Sequence, residues 1–209
     1  MENMVFKEEP SPPREAPPSY SSIISPIGLD HLSTLSRVDI RQRNITTENG
    51  DVIFGLKREL VKNFCSATFL FDLYDKTGRM VIRLKPVNSC CNSRLEVYID
   101  GQYAAKLQIN AFMSCMPKYA VLDASGKKVL KIYTPGFGQN RFLLRLKDPQ
   151  GNEIGTITKK WNGLADEIFA DSNELQIEFP RDLGVEFKAA VIGFCILIIQ
   201  EANIQYAYR

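Results

Sequence analysis

Four glycines at nearly regular spacing constrain the fold of this chain more than any other feature of its sequence. Each glycine ends a short polar turn that begins with aspartate, and aliphatic or aromatic runs flank the turn on both sides. Such runs around an Asp/Gly turn are typical of antiparallel β-hairpins. The glycines are Gly78, Gly101, Gly126 and Gly151, at intervals of 23, 25 and 25 residues. The repeat therefore predicts a meander of at least eight strands, two from each hairpin.

The edges of such a meander restrict its architecture. Exposed strand edges tend to pair with other chains, and closure into a barrel removes them. A period of 23 to 25 residues is also too short for the four-stranded blades of a propeller. We therefore predict a mainly β fold, an antiparallel barrel that is closed or nearly closed.

An uncharged segment, 189–199, interrupts the β pattern near the end of the chain. It shows neither strand alternation nor a polar helical face, and its length favours a helix that is buried on all sides. As a helix it spans about 16 Å, whereas a bilayer core needs roughly 30 Å, so a membrane span would bury Lys188 or Glu201. We predict a core helix at 186–200 that is enclosed by strands, with Gly193 allowing a close approach. The residues predicted to be buried are Ile192, Ile196 and Ile199.

Residues 1–26 contain 6 of the 11 prolines and few large apolar side chains. Such a composition predicts a flexible, proline-rich tail, followed by a barrel domain at 27–209. Pro17, Pro18 and Tyr20 fit the PPxY pattern that WW domains bind, and 10–13 fits the PxxP pattern of SH3 ligands. Proline-rich tails also produce such matches by chance, so a plain linker is the alternative interpretation.

Composition excludes several classes of function. The 26 Lys and Arg residues nearly balance 24 Asp and Glu residues, whereas a nucleic-acid-binding protein normally has a clear basic excess. Five cysteines without a CxxC pair and a single histidine argue against a zinc site. No combination of residues typical of nucleophilic or acid–base catalysis stands out, so we do not expect an enzyme. The cysteine pattern and the lack of a secretory signal predict a reducing, cytosolic environment.

Several stretches resemble the phospholipid scramblase family. The similar segments are 26–32, 41–42, 116–119, 155–164, 169–173, 177–185 and 188–193, and the resemblance covers roughly 26–201. It implies a twelve-stranded barrel, related to tubby proteins, around a hydrophobic C-terminal helix. It also implies energy-independent, calcium-stimulated exchange of phospholipids between leaflets at the cytoplasmic side of the plasma membrane, with a cytosolic or nuclear pool as an alternative. Between 43 and 68 the chain is shorter than the family by about one hairpin, which predicts that the first strands are missing or rebuilt.

The same resemblance implies a calcium site in a stretch that precedes the apolar helix. Its ligand positions fall on Asp171, Asn173, Leu175, Ile177, Phe179 and Asp182. Calcium takes six to eight oxygen ligands, and three of these side chains offer none. Gln176 also stands where an EF-hand loop has glycine. The alternation at 175–179 leaves a second interpretation open, a half-buried edge strand with solvated acids.

Three further features carry both a functional and an ordinary interpretation. The resemblance implies that Cys90 and Cys91 are acylated and attach the protein to a membrane, because two acyl chains give stable attachment. Unmodified thiols are the alternative interpretation. The segment 155–164 resembles one that nuclear import receptors bind, although the alternation of its side chains fits an ordinary β-strand. Six basic residues could line one face and attract anionic lipids, or could be solvated surface charge. They are Lys57, Arg58, Lys62, Lys127, Lys128 and Lys131.

Two functions remain as hypotheses from the sequence. The first is an ATP-independent phospholipid scramblase that acts as an oligomer or releases its apolar helix into the bilayer. The absence of a GxxxxGK[ST] phosphate-binding loop from the sequence agrees with it. The second is a membrane-associated, lipid-binding adaptor whose tail recruits WW or SH3 partners.

Overall fold

The fold is described here from a computed structural model. It describes residues 29–41, 43–63, 66–87, 93–110, 118–133, 143–159 and 174–207, without the side chains of 62–67, 110, 118 and 201–207. The elements are α1 (Asp30–Thr34), β1 (Arg37–Arg41), β2 (Asn44–Thr46), β3 (Val52–Asn63), β4 (Ser66–Tyr74), β5 (Met80–Val87), β6 (Ser93–Ile99), β7 (Gln102–Asn110), β8 (Lys118–Asp123), β9 (Lys128–Tyr133), β10 (Leu143–Lys147), β11 (Glu153–Lys159), β12 (Leu175–Glu178) and α2 (Val185–Ala207).

The strands form one closed antiparallel barrel, which confirms the predicted fold class. Each strand pairs with its neighbours in sequence, and β1 closes the barrel by pairing with β12 as well as with β2. The pairs Val38–Ile177 and Ile40–Ile45 belong to these two ladders, and all four side chains are buried. The shortened region 43–68 therefore does not leave the barrel open, because β2, β3 and the start of β4 are built from it.

Alternate connections meet at the same end of the barrel. The four predicted turns lie together at one end, which we call the turn end, and their glycines all have positive φ values between 79° and 100°. Three of the turns begin with an aspartate whose carboxylate accepts backbone N–H groups of its own turn. These aspartates are Asp75, Asp123 and Asp148. At the opposite end, which we call the loop end, β5 connects to β6 through 88–92 and β11 to β12 through 160–174.

The core helix α2 fills the barrel, as predicted. Ile192, Ile196 and Ile199 are at most 4% exposed. A side chain at Gly193 would place its Cβ 2.6 Å from Leu95 Cδ2, so only glycine allows the helix to lie this close to the wall. The helix is longer than the predicted 186–200, because no proline or glycine interrupts the sequence after residue 200.

Candidate functional site

Strand β12 separates the predicted calcium ligands. Ile177 and Phe179 are buried in the core, and Ile177 pairs with neighbours on both sides of the strand. This strand is half-buried, as the alternative interpretation predicted, but it is not an edge strand, because the barrel is closed. Asp182 is exposed at the turn end, whereas the chain enters β12 at the loop end, about 13 Å away.

Two of the six predicted ligands, Asp171 and Asn173, lie outside the described residues. Leu175 begins β12 and is half-buried. Within the described ranges, no group of three or more His, Cys, Asp or Glu side chains is placed to hold a metal ion. Calcium binding by this segment stays a prediction.

The predicted lipidation and partner-binding residues also lie outside the described residues. They are Cys90, Cys91, Pro17, Pro18 and Tyr20. The connection that carries the two cysteines leaves β5 and enters β6 at the loop end. The first part of 155–164 belongs to β11, in agreement with the strand interpretation of that segment.

The six basic residues belong to two separate parts of the barrel, which favours the alternative interpretation, solvated surface charge. Lys57 and Arg58 lie on β3, whereas Lys128 and Lys131 lie on β9, six strands away in either direction around the barrel. The charged groups of Lys57 and Arg58 contact side chains close to them. The Lys57 ammonium lies 4.4 Å from the centre of the Tyr74 ring, and the Arg58 guanidinium lies over Phe69 and donates to Gln200 at 2.6 Å.

Lys188, the residue directly before the apolar segment, is fully buried at the turn end. Its ammonium nitrogen lies 2.9 to 3.1 Å from four backbone carbonyl oxygens, which share its three N–H donors and belong to Leu32, Ser33, Leu35 and Arg181. Burial lowers the pKa of Lys188 to about 8, an effect that the nearby charge of Asp182 partly opposes. The side chain therefore fixes α2 to α1 and to the turn before α2. The sequence signal was a lysine directly before the apolar segment, but its partners are more than 150 residues away for three of the four bonds.

A seam opens in the barrel wall between β4 and β5. The hydrogen-bonded ladder between these strands ends at the pair Phe71–Leu84. Toward the loop end, β4 residues 66–70 pair only with β3, and β5 residues 85–87 pair only with β6. Pro86 lies in this stretch, and proline has no N–H to donate to a ladder. Beyond Phe71–Leu84, no hydrogen-bonded ladder joins the described residues of β4 and β5.

A groove with a volume of about 540 Å³ lies on the outer wall and extends from the paired part of the β4–β5 ladder, at Met80 and Arg83, into the seam. It is lined by Val61, Thr68, Leu70, Met80, Arg83, Lys85, Tyr98 and Gly101. One wall is mainly apolar and comes from β3 and β4, and the other carries two cations on β5. Sequence reasoning missed this arrangement, because its residues come from four strands and share no sequence motif.

The polar residues of the groove are held by ion pairs. Arg83 donates from Nε and Nη2 to the two carboxylate oxygens of Asp72, both at 2.8 Å. Glu96 accepts from Arg94 at 2.9 Å and from the hydroxyl of Tyr98 at 3.0 Å. Burial raises the pKa of Glu96, but these hydrogen bonds outweigh it and the net pKa is lowered. Glu96 is therefore charged at neutral pH.

The described residues thus define a closed antiparallel barrel that is filled by an apolar helix and has a grooved seam in its wall. A family model described as Scramblase matches residues 35–201, and the chain belongs to this family. The chain is 27% identical to Phospholipid scramblase 1 of Homo sapiens over 222 residues, which cover 90% of this chain and 67% of that protein. It is 26% identical to Phospholipid scramblase 2 of Homo sapiens over 230 residues, 94% of this chain and 74% of the relative.

A third relative is Phospholipid scramblase family member 5 of Homo sapiens, 27% identical over 87% of this chain and 79% of that protein. Relative to Phospholipid scramblase 1 of Rattus norvegicus, the chain spans 64% of the length. No solved structure matches the chain significantly. Among the helices described here, none is both long and apolar enough to span a bilayer.

Proposed function

We propose that this protein moves phospholipids between the leaflets of a membrane, without ATP and with stimulation by calcium. The observation that carries the proposal is the extent of the family match, which begins before β1 and ends in α2. The matched region therefore includes the whole barrel and most of its core helix. The absence of a GxxxxGK[ST] loop from the sequence supports the ATP-independent part.

The packing of α2 bears on the route that a lipid takes. Fully burying one isoleucine stabilises a fold by about 1.5 to 3 kcal/mol, and α2 contributes Ile192, Ile196 and Ile199 to the core. Release of the helix would also strip Lys188 of its four carbonyl partners. We therefore propose that α2 stays in the barrel during transport and that the lipid moves along the outer wall.

The test is reconstitution of the full chain in liposomes that carry a dye-labelled phospholipid in both leaflets. Chemical quenching from outside then reports how fast lipid exchanges between leaflets, in the absence of ATP and with or without calcium. We expect exchange faster than in protein-free vesicles and a further increase with calcium. Exchange at the protein-free rate would refute the transport proposal.

Calcium stimulation has a more specific test. The variants Asp171→Asn and Asp182→Asn remove one carboxylate on either side of β12. If one ion uses the whole predicted ligand set, both variants lose the calcium response while basal exchange persists. Loss in Asp171→Asn alone would show that the ion does not use Asp182. Persistence in both would refute calcium binding by this segment.

A lipid-binding adaptor is the second candidate, and the PPxY sequence at 17–20 favours it. The expected results are sedimentation with vesicles and capture by an immobilised WW domain, with capture lost in Tyr20→Ala.

We further propose membrane attachment through acyl chains on Cys90 and Cys91, which a double Cys→Ser variant would abolish in cells. We also propose that the protein forms a homo-oligomer, and light scattering of the protein without vesicles tests this by measuring its molecular mass.

A further inference from the structure

We propose that the groove along the β4–β5 seam binds one phospholipid molecule, with the phosphate at Arg83 and Lys85 and the apolar part against Val61 and Leu70. The inference rests on the proposed function, because it names the place where the transported lipid contacts the barrel. It depends on three observations: donors that are still available, an apolar wall beside them, and an elongated shape.

The two cations keep hydrogen-bonding capacity that their ion pairs do not use. Arg83 bonds to Asp72 through Nε and Nη2, so Nη1 carries no hydrogen bond within the described part of the chain. The Lys85 ammonium lies 3.8 Å from a Glu96 oxygen, beyond hydrogen-bonding distance. The side chains of Arg83 and Lys85 are 40% and 50% exposed. A phosphate placed between them can accept from both cations without breaking the Arg83–Asp72 pair.

The charge balance of the groove favours a ligand with a single phosphate. Asp72 and Glu96 lie beside the same two cations and largely neutralise them. A polyanion such as a nucleic acid would meet these carboxylates, whereas one phosphate meets only the free donors. The site should therefore bind the phosphate of zwitterionic and anionic phospholipids alike.

The shape and the opposite wall favour a lipid over free phosphate. Along β5 the groove extends from Met80 to Lys85, about 16 Å for five residues of strand. Its volume of about 540 Å³ lies within the usual range for small-molecule sites and far exceeds that of one phosphate ion. Val61 and Leu70 line the side opposite the cations. A molecule with one phosphate and an attached apolar chain uses both sides at once.

Binding of dihexanoyl phosphatidylcholine, kept below its micelle concentration, tests the site by titration calorimetry on the full chain. We expect Lys85→Gln and Leu70→Gln each to weaken binding about fivefold to tenfold, since each removes one class of contact. Two controls lie outside the groove: Lys128→Gln removes an exposed lysine four strands away, and Val52→Gln replaces an apolar side chain that is 42% exposed. Both controls should bind like the wild type, and thermal unfolding verifies that all four variants fold. Unchanged affinity in Lys85→Gln and Leu70→Gln would overturn the proposal.

Inorganic phosphate serves as the competing probe. A lipid site predicts that phosphate at the same concentration displaces little of the short-chain lipid. Equal binding of phosphate, together with no effect of Leu70→Gln, would show an anion site only and would overturn the lipid assignment. Failure of transport is distinguishable from failure of the site. If the variants weaken lipid binding but the protein does not exchange lipid in liposomes, the site stands and transport is refuted. If the protein exchanges lipid but does not bind the short-chain lipid, transport stands and the site is refuted.

Discussion

The two ends of the barrel are built differently. At the turn end, Asp-initiated turns satisfy their own backbone N–H groups, and Lys188 ties α2 to α1, to Leu35 and to the turn before α2. At the loop end, the β4–β5 ladder stops early, and Arg58 donates a hydrogen bond to Gln200 of α2 at the surface. The connections there carry four of the five cysteines and the single tryptophan. The comparison indicates that the turn end fixes α2 in the fold, whereas the proposed lipid groove extends into the part of the wall near the loop end where β4 and β5 are unpaired.

The largest expected effect comes from the segment that joins the two ends. Ile196→Asp places an unpaired charge in the middle of α2, where the isoleucine is 1% exposed. We expect loss of the folded state, since such a change costs more than about 4 kcal/mol. Thermal unfolding by circular dichroism measures it, with Ile196→Val as the control. A variant that stays folded and only loses membrane association would show that α2 is an exposed anchor.

The second effect tests the turn end directly. Lys188→Met keeps the apolar stem but leaves four buried or part-buried carbonyls without this donor. We expect the free energy of unfolding to fall by about 2 to 4 kcal/mol, measured with urea. The matched control, Lys127→Met, replaces an exposed lysine at the same end and should change stability by less than about 0.5 kcal/mol. Equal stability of the two variants would remove Lys188 from its stabilising role.

A third prediction uses the pKa of the same lysine. Burial lowers the pKa of Lys188 to about 8 in the folded state, against 10.5 for an unperturbed lysine. Between these pH values the unfolded chain binds more protons, so stability should rise with pH, by at most about 1.4 kcal/mol per pH unit. Below pH 8 the lysine is charged in both states and this contribution to the slope vanishes.

The measurement is urea unfolding at several pH values from 7 to 10.5, with Lys188→Met as the reference. Subtracting the variant removes the titration of tyrosines, such as Tyr98 and Tyr103, whose pKa values burial raises. A difference between the two proteins that does not change with pH would contradict the lowered pKa.

The smallest effect is expected at the loop end. Arg58→Gln removes the hydrogen bond to Gln200 and the contact with the Phe69 ring. Because the guanidinium is exposed, we expect a loss of no more than about 1 kcal/mol, several times less than for Lys188→Met. The same urea experiment measures both. A loss as large as that of Lys188→Met would mean that the two ends hold α2 equally, and the comparison would fail.

The features that followed from sequence alone are local ones. Gly101 requires a positive φ next to Asp100, so the hairpin at this turn is encoded by two adjacent residues. The burial of Ile192 and Ile196 followed from an uncharged run too short for a bilayer. In both cases the physical cause lies within a few residues of the chain, where turn chemistry and periodicity act.

The tertiary structure decided what depends on distant residues. In the sequence, Lys188 is only a charged residue next to the apolar segment. In the fold it donates to carbonyls of α1, because the closed barrel brings the N-terminal helix over the start of α2. The groove was equally hidden, since Leu70 and Lys85 face each other only where a ladder fails to form. Local sequence determined the hairpins and the core helix. Barrel closure decided which strands stay unpaired and which buried groups find partners, because those contacts join segments that lie far apart in the sequence.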